Sequence, residues 1–188
     1  MRIFVAVALV PALREAIGGM PSRLNSAGSS LRWVSPDNLH LTLKFLGETA
    51  EVRVPKIAGA VREVAERTAR FEITLAGMGA FPSPRRPQVV WVGVGDGADH
   101  LVALAQDLDT ALYRLKFPRE SRPYQPHLTV ARVRRAGPAP DLSGPLDGLG
   151  GLILGTQTVD TLHVMESTLN PSGAIHRPVD MVRLSEVG

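Results

Sequence analysis

The sequence predicts an α+β fold with mostly antiparallel sheets. Strand-like apolar stretches come in groups between amphipathic helices, and no regular strand–helix–strand repeat runs along the chain. A length of 188 residues suits one domain or two small lobes, and 44% hydrophobic with 21% charged residues is ordinary globular usage. We therefore expect one two-lobed domain over residues 1–188, and we exclude fibrous, collagen-like and wholly disordered chains.

The first half of the chain is predicted to form three strands and two helices. The stretch 2–9 is apolar and β-branched, as in a buried strand, and Pro11 suits the first position of a helix. After Glu51, apolar residues recur at three- and four-residue steps, which is typical of an amphipathic helix. The predicted elements are a strand over 2–9, a helix over 11–27 interrupted near Gly18, strands over 31–34 and 38–46, and a helix over 51–70.

The second half is predicted to contain one long helix and five strands. Asp99 is suited to cap the helix, whose apolar residues again follow a helical spacing. Segment 137–151 is rich in Gly and Pro, so we expect a loop or a poorly formed turn of helix. The remaining predictions are strands over 71–78 and 88–94 around a Pro-rich loop, a loop over 118–126, and strands over 127–133, 156–167 and 174–184.

Composition restricts the chemistry and the location. The chain has no Cys, which excludes a disulfide framework, a thiol nucleophile and thiolate metal sites. The longest apolar run, 3–10, is too short to cross a bilayer as a helix, and charged residues follow it closely, so we expect a cytoplasmic protein with no membrane association. Net charge is only +3, but segment 114–135 holds seven Lys and Arg against one acidic residue. That segment is either a phosphate-attracting patch or a solvated basic loop.

A duplicated motif is the most informative feature. His40-Leu41-Thr42-Leu43 is followed 87 residues later by His127-Leu128-Thr129-Val130, and both copies lie in predicted strands that follow a Pro-containing turn. Because side chains alternate along a strand, each His and Thr share one face and the apolar residues share the other. If a pseudo-twofold axis relates the copies, the two pairs face each other across a cleft.

Two imidazoles and two hydroxyls suit phosphoryl transfer at an RNA-like phosphodiester without a metal. A neutral His can take a proton from water while a protonated His gives one to the departing oxygen. The Thr hydroxyls can donate to the non-bridging oxygens as negative charge develops. A single His-x-Thr is more often a structural strand pair, but two copies in matching context favour a catalytic role.

These residues resemble a known family. The segments Asn38-Leu39-His40-Leu41-Thr42-Leu43-Lys44-Phe45-Leu46-Gly47 and Pro126-His127-Leu128-Thr129-Val130-Ala131-Arg132 are similar to the paired signatures of the two-histidine phosphoesterase superfamily, specifically its RNA 2',3'-cyclic phosphodiesterases, also called 2'-5' RNA ligases. The resemblance implies a bilobal pseudo-twofold fold with two sheets facing across a central cleft and helices outside. It also implies metal-independent hydrolysis of RNA 2',3'-cyclic phosphate ends to 2'-phosphates, with a reversible, ATP-independent ligation.

The resemblance also assigns roles to residues. His127 is expected to be the general base on water and His40 the general acid on the 3'-oxygen, with Thr42 and Thr129 holding the phosphate. It further suggests that the terminal base is flanked by Phe45 and Arg132, each five residues after its His. Strict alternation opposes this, because an odd offset places a side chain on the opposite face unless a bulge or a strand end rotates it.

The chain departs from the family at two places, and some weaker signals carry other interpretations. Segment 137–151 replaces a helix, and His176 replaces an aromatic residue near the last strand.

A glycine pattern at 93–98 formally fits a dinucleotide site but lacks the strand context, so no cofactor is expected. His163 and Glu166 should lie on opposite faces of a strand, so no metal site is expected. Trp33 and Trp91 are expected to pack in the core or at the cleft edge rather than to stack on a nucleotide base.

Two other functions stay open at this point. The chain could be a non-catalytic module that binds RNA or nucleotides, or a relative that acts on small cyclic nucleotides. The expected partners are accordingly an RNA with a 2',3'-cyclic phosphate end or a small cyclic nucleotide, and a monomer is expected.

Overall fold

The computed structural model describes residues 1–24, 30–134, 140–170 and 173–186. In these ranges the strands are β1 (Arg2–Ala8), β2 (Leu31–Trp33), β3 (His40–Glu48), β4 (Phe71–Phe81), β5 (Val89–Val94), β6 (His127–Val133), β7 (Ile153–Val159), β8 (Thr161–Asn170) and β9 (Gly173–Arg183). The helices are α1 (Pro11–Gly18), α2 (Met20–Arg23), α3 (Val54–Glu66), α4 (Ala98–Arg114) and α5 (Ser143–Leu146), with 3-10 turns at Pro36–Asn38, Glu51–Arg53 and Leu149–Gly151.

The strands form one sheet in the order β7-β4-β5-β6-β3-β1-β8-β9, with β2 beside β6. Each pairing between named strands is antiparallel in the described part of the chain. The two halves of the sheet meet between β3 and β6, where the only ladder pair of described residues is Leu41 with Leu128. The predicted α+β class is therefore confirmed, and the two predicted sheets are the halves of one sheet.

Helices α3 and α4 pack against each other and against one face of the sheet. Apolar residues at helical spacing form the contact, so Ile57 and Val61 of α3 and Leu108 of α4 are fully buried. Leu41 and Leu128 are also fully buried, in the same core. Burial of each such side chain stabilises the fold by roughly 1.5–3 kcal/mol. The motif His and Thr side chains consequently lie on the other face of the sheet.

A buried glutamine joins the edge strand β7 to the end of β1, which lies in the other half of the sheet. The Gln157 side chain accepts a hydrogen bond from the Val10 N–H at 3.0 Å and donates one to the Ala8 carbonyl at 3.0 Å. This side chain is only 6% exposed, and both of its polar atoms have a partner. The contact brings β7 against the end of β1, so the sheet curls toward closure on that side.

Two predictions about secondary structure are wrong. The predicted strand over 156–167 is divided at Asp160 into β7, which pairs with β4, and β8, which pairs with β1. Asp99 does not cap α4: the cap is Gly97, at φ 80°, and Asp99 lies in the first turn. A Cβ on Gly97 would stand 2.1 Å from the Glu72 carbonyl oxygen, so this cap requires glycine.

Other boundaries differ by a few residues. The interruption near Gly18 separates α1 from α2, and the part of the predicted helix from 25 to 27 lies outside the described residues. The Gly/Pro-rich segment contains the short helix α5 and a 3-10 turn, while 137–139 again lie outside the described residues. No helix among the described residues is both long enough and apolar enough to cross a bilayer.

Candidate active site

The two motifs lie side by side where the halves of the sheet meet. His40 and Thr42 open β3, and His127 and Thr129 open β6. Because Leu41 pairs with Leu128 in an antiparallel register, His40 lies opposite Thr129 and Thr42 lies opposite His127. All four polar side chains are half-buried and share the face that is turned away from the helices.

The Leu41–Leu128 pair brings the four groups into one cluster. In a regular antiparallel pair, residues directly opposite have Cβ atoms about 4.5–5.5 Å apart, and diagonal neighbours are roughly 7–8 Å apart. The two imidazoles therefore lie on one diagonal of a four-residue cluster and the two hydroxyls on the other. Among the described residues neither Thr42 nor Thr129 makes a side-chain hydrogen bond, so both hydroxyls can serve a ligand.

Both imidazoles are held in the same orientation by the backbone just before them. The Nδ1–H of His40 donates to the Asn38 carbonyl at 2.7 Å, and the Nδ1–H of His127 donates to the Gln125 carbonyl at 2.7 Å. Since a carbonyl oxygen only accepts, the proton of each neutral ring is on Nδ1 and its Nε2 is a free base. The Asn38 side chain also donates to the Ala174 carbonyl at 2.7 Å, which joins this turn to β9.

Aromatic rings enclose the His40 imidazole. The Phe4 ring lies 4.8 Å from it, and the His176 ring lies 5.2 Å from it at an interplanar angle of 88°. Burial lowers the pKa of His40 to about 4; the hydrogen bond to Asn38 opposes this and nearby His176 adds to it. Burial also lowers the pKa of His176. His40 is therefore neutral at pH 7 in the free protein.

A bulge in β3 changes the faces of Lys44, Phe45 and Leu46, before a second register shift after Phe45 restores the original phase. Thr42 pairs with Ala6 and Lys44 pairs with Val5, so Leu43 has no partner in β1. Two consecutive residues, Leu43 and Lys44, are consequently buried. Phe45 then returns to the motif face, where it is 66% exposed and lies 6.0 Å from the Phe4 ring.

Strand β6 has the matching bulge. Thr129 pairs with Trp91 and Ala131 pairs with Val90, which leaves Val130 as the extra residue. Arg132 is therefore on the motif face, exposed, and across from Arg32 of β2. The expectation from strict alternation, that Phe45 and Arg132 face away from the histidines, is wrong because each strand contains one additional residue.

Lys44 is a residue that sequence reasoning missed. Its Nζ is buried behind the site and donates to Asp109 Oδ1 at 2.7 Å, the Pro118 carbonyl at 2.7 Å and Glu120 Oε1 at 3.1 Å. These acceptors belong to α4 and to the loop that leads to His127. The sequence did contain a signal for this contact. Lys44 lies inside an apolar strand, and a buried ammonium requires hydrogen-bond partners.

The contacts between aromatic rings around His127 were also not predicted from the sequence. Phe81 contacts His127 at 5.1 Å and Trp91 at 5.3 Å. The Trp91 indole occupies the space beside Gly79, where a Cβ would stand 2.2 Å from it. Trp91 thus packs at the cleft edge next to Thr129, and Trp33 is half-buried against the core.

The basic segment 114–135 is divided by the structure. Arg119 approaches Asp109 at 3.4 Å and lies over the Tyr113 ring, whereas Arg132 lies on the motif face. His163 lies on that face as well, opposite Ala6, and Glu166 lies on the other face, opposite Ile3. The described residues contain no group of three or more His, Asp or Glu side chains arranged to hold a metal ion.

The structure places the two His-x-Thr strands side by side on one face of a curled antiparallel sheet. The sequence model of the 2'-5' RNA ligase superfamily matches residues 12–170. The chain belongs to this superfamily, and it is therefore an enzyme of that class.

Relatives and solved structures are similar to this chain over nearly its whole length. The RNA 2',3'-cyclic phosphodiesterase of Methanothermobacter thermautotrophicus is 34% identical over 98% of this chain and 99% of its own. That of Aeropyrum pernix is 34% identical over 86% of this chain and 90% of its own. The crystal structure of TT0787 of Thermus thermophilus has a TM-score of 0.83 at 28% identity, with 98% of both chains covered. That of E. coli LigT complexed with 3'-AMP has a TM-score of 0.77 at 25% identity, also with 98% of both chains covered.

Proposed function

We propose that the chain hydrolyses RNA 2',3'-cyclic phosphate ends to 2'-phosphates by general acid and base catalysis. The observation that supports this best is the pair of matched imidazoles, His40 and His127, which come from neighbouring strands onto one face with Nε2 free. Relatives that are 34% identical over most of their length carry the name of this activity.

The chemistry uses each of the four motif residues once. His127 takes a proton from water as the water oxygen bonds to phosphorus, the bond from phosphorus to the 3'-oxygen breaks, and His40 gives that oxygen its proton. Each proton transfer contributes typically ~10²–10⁴-fold to the rate. Thr42 and Thr129 donate hydrogen bonds to the non-bridging oxygens, whose negative charge grows in the transition state.

The negative charge of the substrate favours protonation of His40, and the proton comes from solvent. Burial keeps the pKa of His40 at about 4 in the free protein, so the ring carries no charge at pH 7. A bound phosphodiester brings a negative charge next to this ring, and an opposite charge within ~4–6 Å favours the protonated form. His40 becomes a general acid in the complex, where the acid is needed.

In this proposal Phe45 and Arg132 hold the terminal nucleotide. Both are exposed on the motif face, one after each catalytic strand's bulge. An aromatic ring and a guanidinium can each stack on a base, and such stacking is worth ~1–3 kcal/mol per base for an aromatic ring. Arg132 and the neighbouring Arg32 also add positive charge for an RNA backbone.

Ligation needs only a change of nucleophile at the same site. If a 5'-hydroxyl replaces water, His127 takes its proton as its oxygen bonds to phosphorus. The bond from phosphorus to the 3'-oxygen breaks, His40 gives that oxygen a proton, and a 2'-5' linkage forms. The bond that breaks is in the cyclic phosphate, so the step requires no ATP. The same two imidazoles would serve the reverse reaction.

The decisive experiment compares His40→Ala and His127→Ala with the wild type on an oligonucleotide that ends in a 2',3'-cyclic phosphate. Each variant should lose at least ~10²-fold in kcat/KM, and the wild type should yield a 2'-phosphate in the presence of a chelator. His100→Ala, an exposed position on α4, is the matched control and should retain full turnover. Near wild-type turnover by both motif variants would defeat the proposal.

Two outcomes would support the alternatives. Tight binding of the oligonucleotide without product between about pH 5 and pH 9 would indicate a binding module. Faster turnover of a cyclic mononucleotide, with little dependence on salt, would indicate a small-molecule enzyme, since an RNA backbone on basic residues makes binding depend strongly on salt.

A further inference from the structure

Each catalytic imidazole has one ring packed edge-on against it, and the two rings differ in chemistry. His40 contacts His176 at 5.2 Å and 88°, and His127 contacts Phe81 at 5.1 Å and 88°. The arrangement is the same in both halves, but Phe81 has no ionisable group and His176 does. The two catalytic imidazoles therefore have unequal electrostatic surroundings at this position.

Packing fixes the place of His176. Its strand is joined to the turn before His40 by the hydrogen bond from Asn38 to the Ala174 carbonyl at 2.7 Å. Phe4, which is only 3% exposed, touches both rings, at 4.8 Å from His40 and 5.1 Å from His176. The Nδ1 atom of His176 is buried and has no hydrogen-bond partner among the described residues, so ring contacts determine its orientation.

We propose that His176 is a positioning residue that adds to the effect of burial in opposing protonation of His40 until an anionic substrate arrives, by placing a second ionisable ring against it. This inference rests on the proposed function of His40. Two imidazolium ions in contact repel each other, so the proton taken up by one ring disfavours the proton on the other. Burial lowers the pKa of both rings, and a positive charge on His176 lowers the pKa of His40 further.

Other ionisable groups around the pair do not cancel this repulsion. On the elements packed about the two rings, these groups include His127 and Arg132 on β6, His163 on β8, Asp37 on the turn with its partner Arg14 at 3.9 Å, and Arg177 of β9 with its partner Glu166. Within the described ranges, neither His40 nor His176 forms an ion pair with a carboxylate. A proton on one ring therefore acts directly on the other.

The test replaces His176 by Phe, so that His40 contacts the same kind of uncharged ring that Phe81 presents to His127. His176→Gln is a second neutral variant. The titration of the His40 ring is followed by NMR of its nitrogen and carbon-bound hydrogen resonances, which requires no turnover. In both variants His40 should take up its proton at higher pH than in the wild type. Phe81→His is the mirror variant, and it should make His127 take up its proton at lower pH.

Kinetics provide the second measurement. If removal of the repulsion raises the proton affinity of His40 about tenfold, the ratio of kcat/KM at pH 4.5 to that at pH 7 falls roughly threefold in His176→Phe. Thermal unfolding of each variant shows whether it is folded under these conditions. A purely structural role would change the rate at both pH values equally.

The failure of this inference can be told apart from the failure of the proposed function. An unchanged His40 titration in both neutral variants would overturn the role of His176, whatever their activity. Full turnover by His40→Ala would instead refute the catalytic role of His40, and the NMR result would stand by itself as a coupled pair of rings.

Discussion

Replacing Lys44 by Met removes a buried ammonium from three acceptors and leaves the Asp109 carboxylate without its main partner. Asp109 is only 14% exposed, and breaking a buried ion pair typically costs ~3–5 kcal/mol. Asp109 keeps the Glu120 N–H at 3.0 Å and Arg119 at 3.4 Å, so we expect the lower end, about 3 kcal/mol. For a chain of this size the unfolding midpoint should fall by roughly 6–12 °C.

The assay is denaturant unfolding at pH 7 of Lys44→Met beside a matched surface variant. Arg62→Met breaks an ion pair with Asp180 in which both side chains are partly exposed, and such pairs contribute ~0–1 kcal/mol. The double variant Lys44→Met, Asp109→Asn should recover part of the loss, because no unpaired charge then stays buried. A loss below about 1 kcal/mol for Lys44→Met, or no recovery in the double variant, would refute the reasoning.

Three further predictions concern the site and the backbone. Thr42→Val and Thr129→Val should each lower kcat by ~10²–10³ with an unchanged unfolding midpoint, which steady-state kinetics and a thermal melt will check. Gly97→Ala should destabilise the protein by at least ~1–3 kcal/mol, since its Cβ meets the Glu72 carbonyl at 2.1 Å, whereas Gly59→Ala, with nothing within 4 Å in α3, should stabilise it by up to ~1 kcal/mol in urea unfolding. Because burial lowers the pKa of His40 from 6.5 to about 4, the unfolded chain binds a proton that the folded chain refuses, and stability is lost as the pH falls through this window. His40→Gln should make the decrease in unfolding free energy between pH 7 and pH 4 smaller, by up to about 3 kcal/mol.

Local patterns predicted the elements that carry the site. Strand β6 begins at His127 and ends at Val133, as alternation and the preceding proline predict, and α3 follows the three- and four-residue spacing of its buried residues. The sharing of one face by His and Thr follows from alternation alone. What alternation cannot supply is the register between β3 and β6, which places each His across from the other motif's Thr.

The features that were predicted wrongly or not at all depend on contacts between residues far apart in the sequence. Segment 156–167 contains a change of phase, because the step from Val159 to Leu162 is three residues, and the pairing of its two parts with different halves of the sheet shows that the strand breaks at Asp160. The bulges that bring Phe45 and Arg132 to the motif face depend on the neighbouring strands. The ring contact of His176 comes from a strand more than a hundred residues from His40, so no local pattern could indicate it.

The single ladder pair between the two halves of the sheet has a consequence for evolution and for design. With Leu41 and Leu128 as the seam, no row of backbone hydrogen bonds among the described residues fixes the angle between the halves, and the side chains beneath the seam set it by their volume. A change such as Leu128→Ala can therefore alter how far apart the two acid–base groups stand while leaving every polar residue in place. Substrate width in this protein can be tuned from its interior.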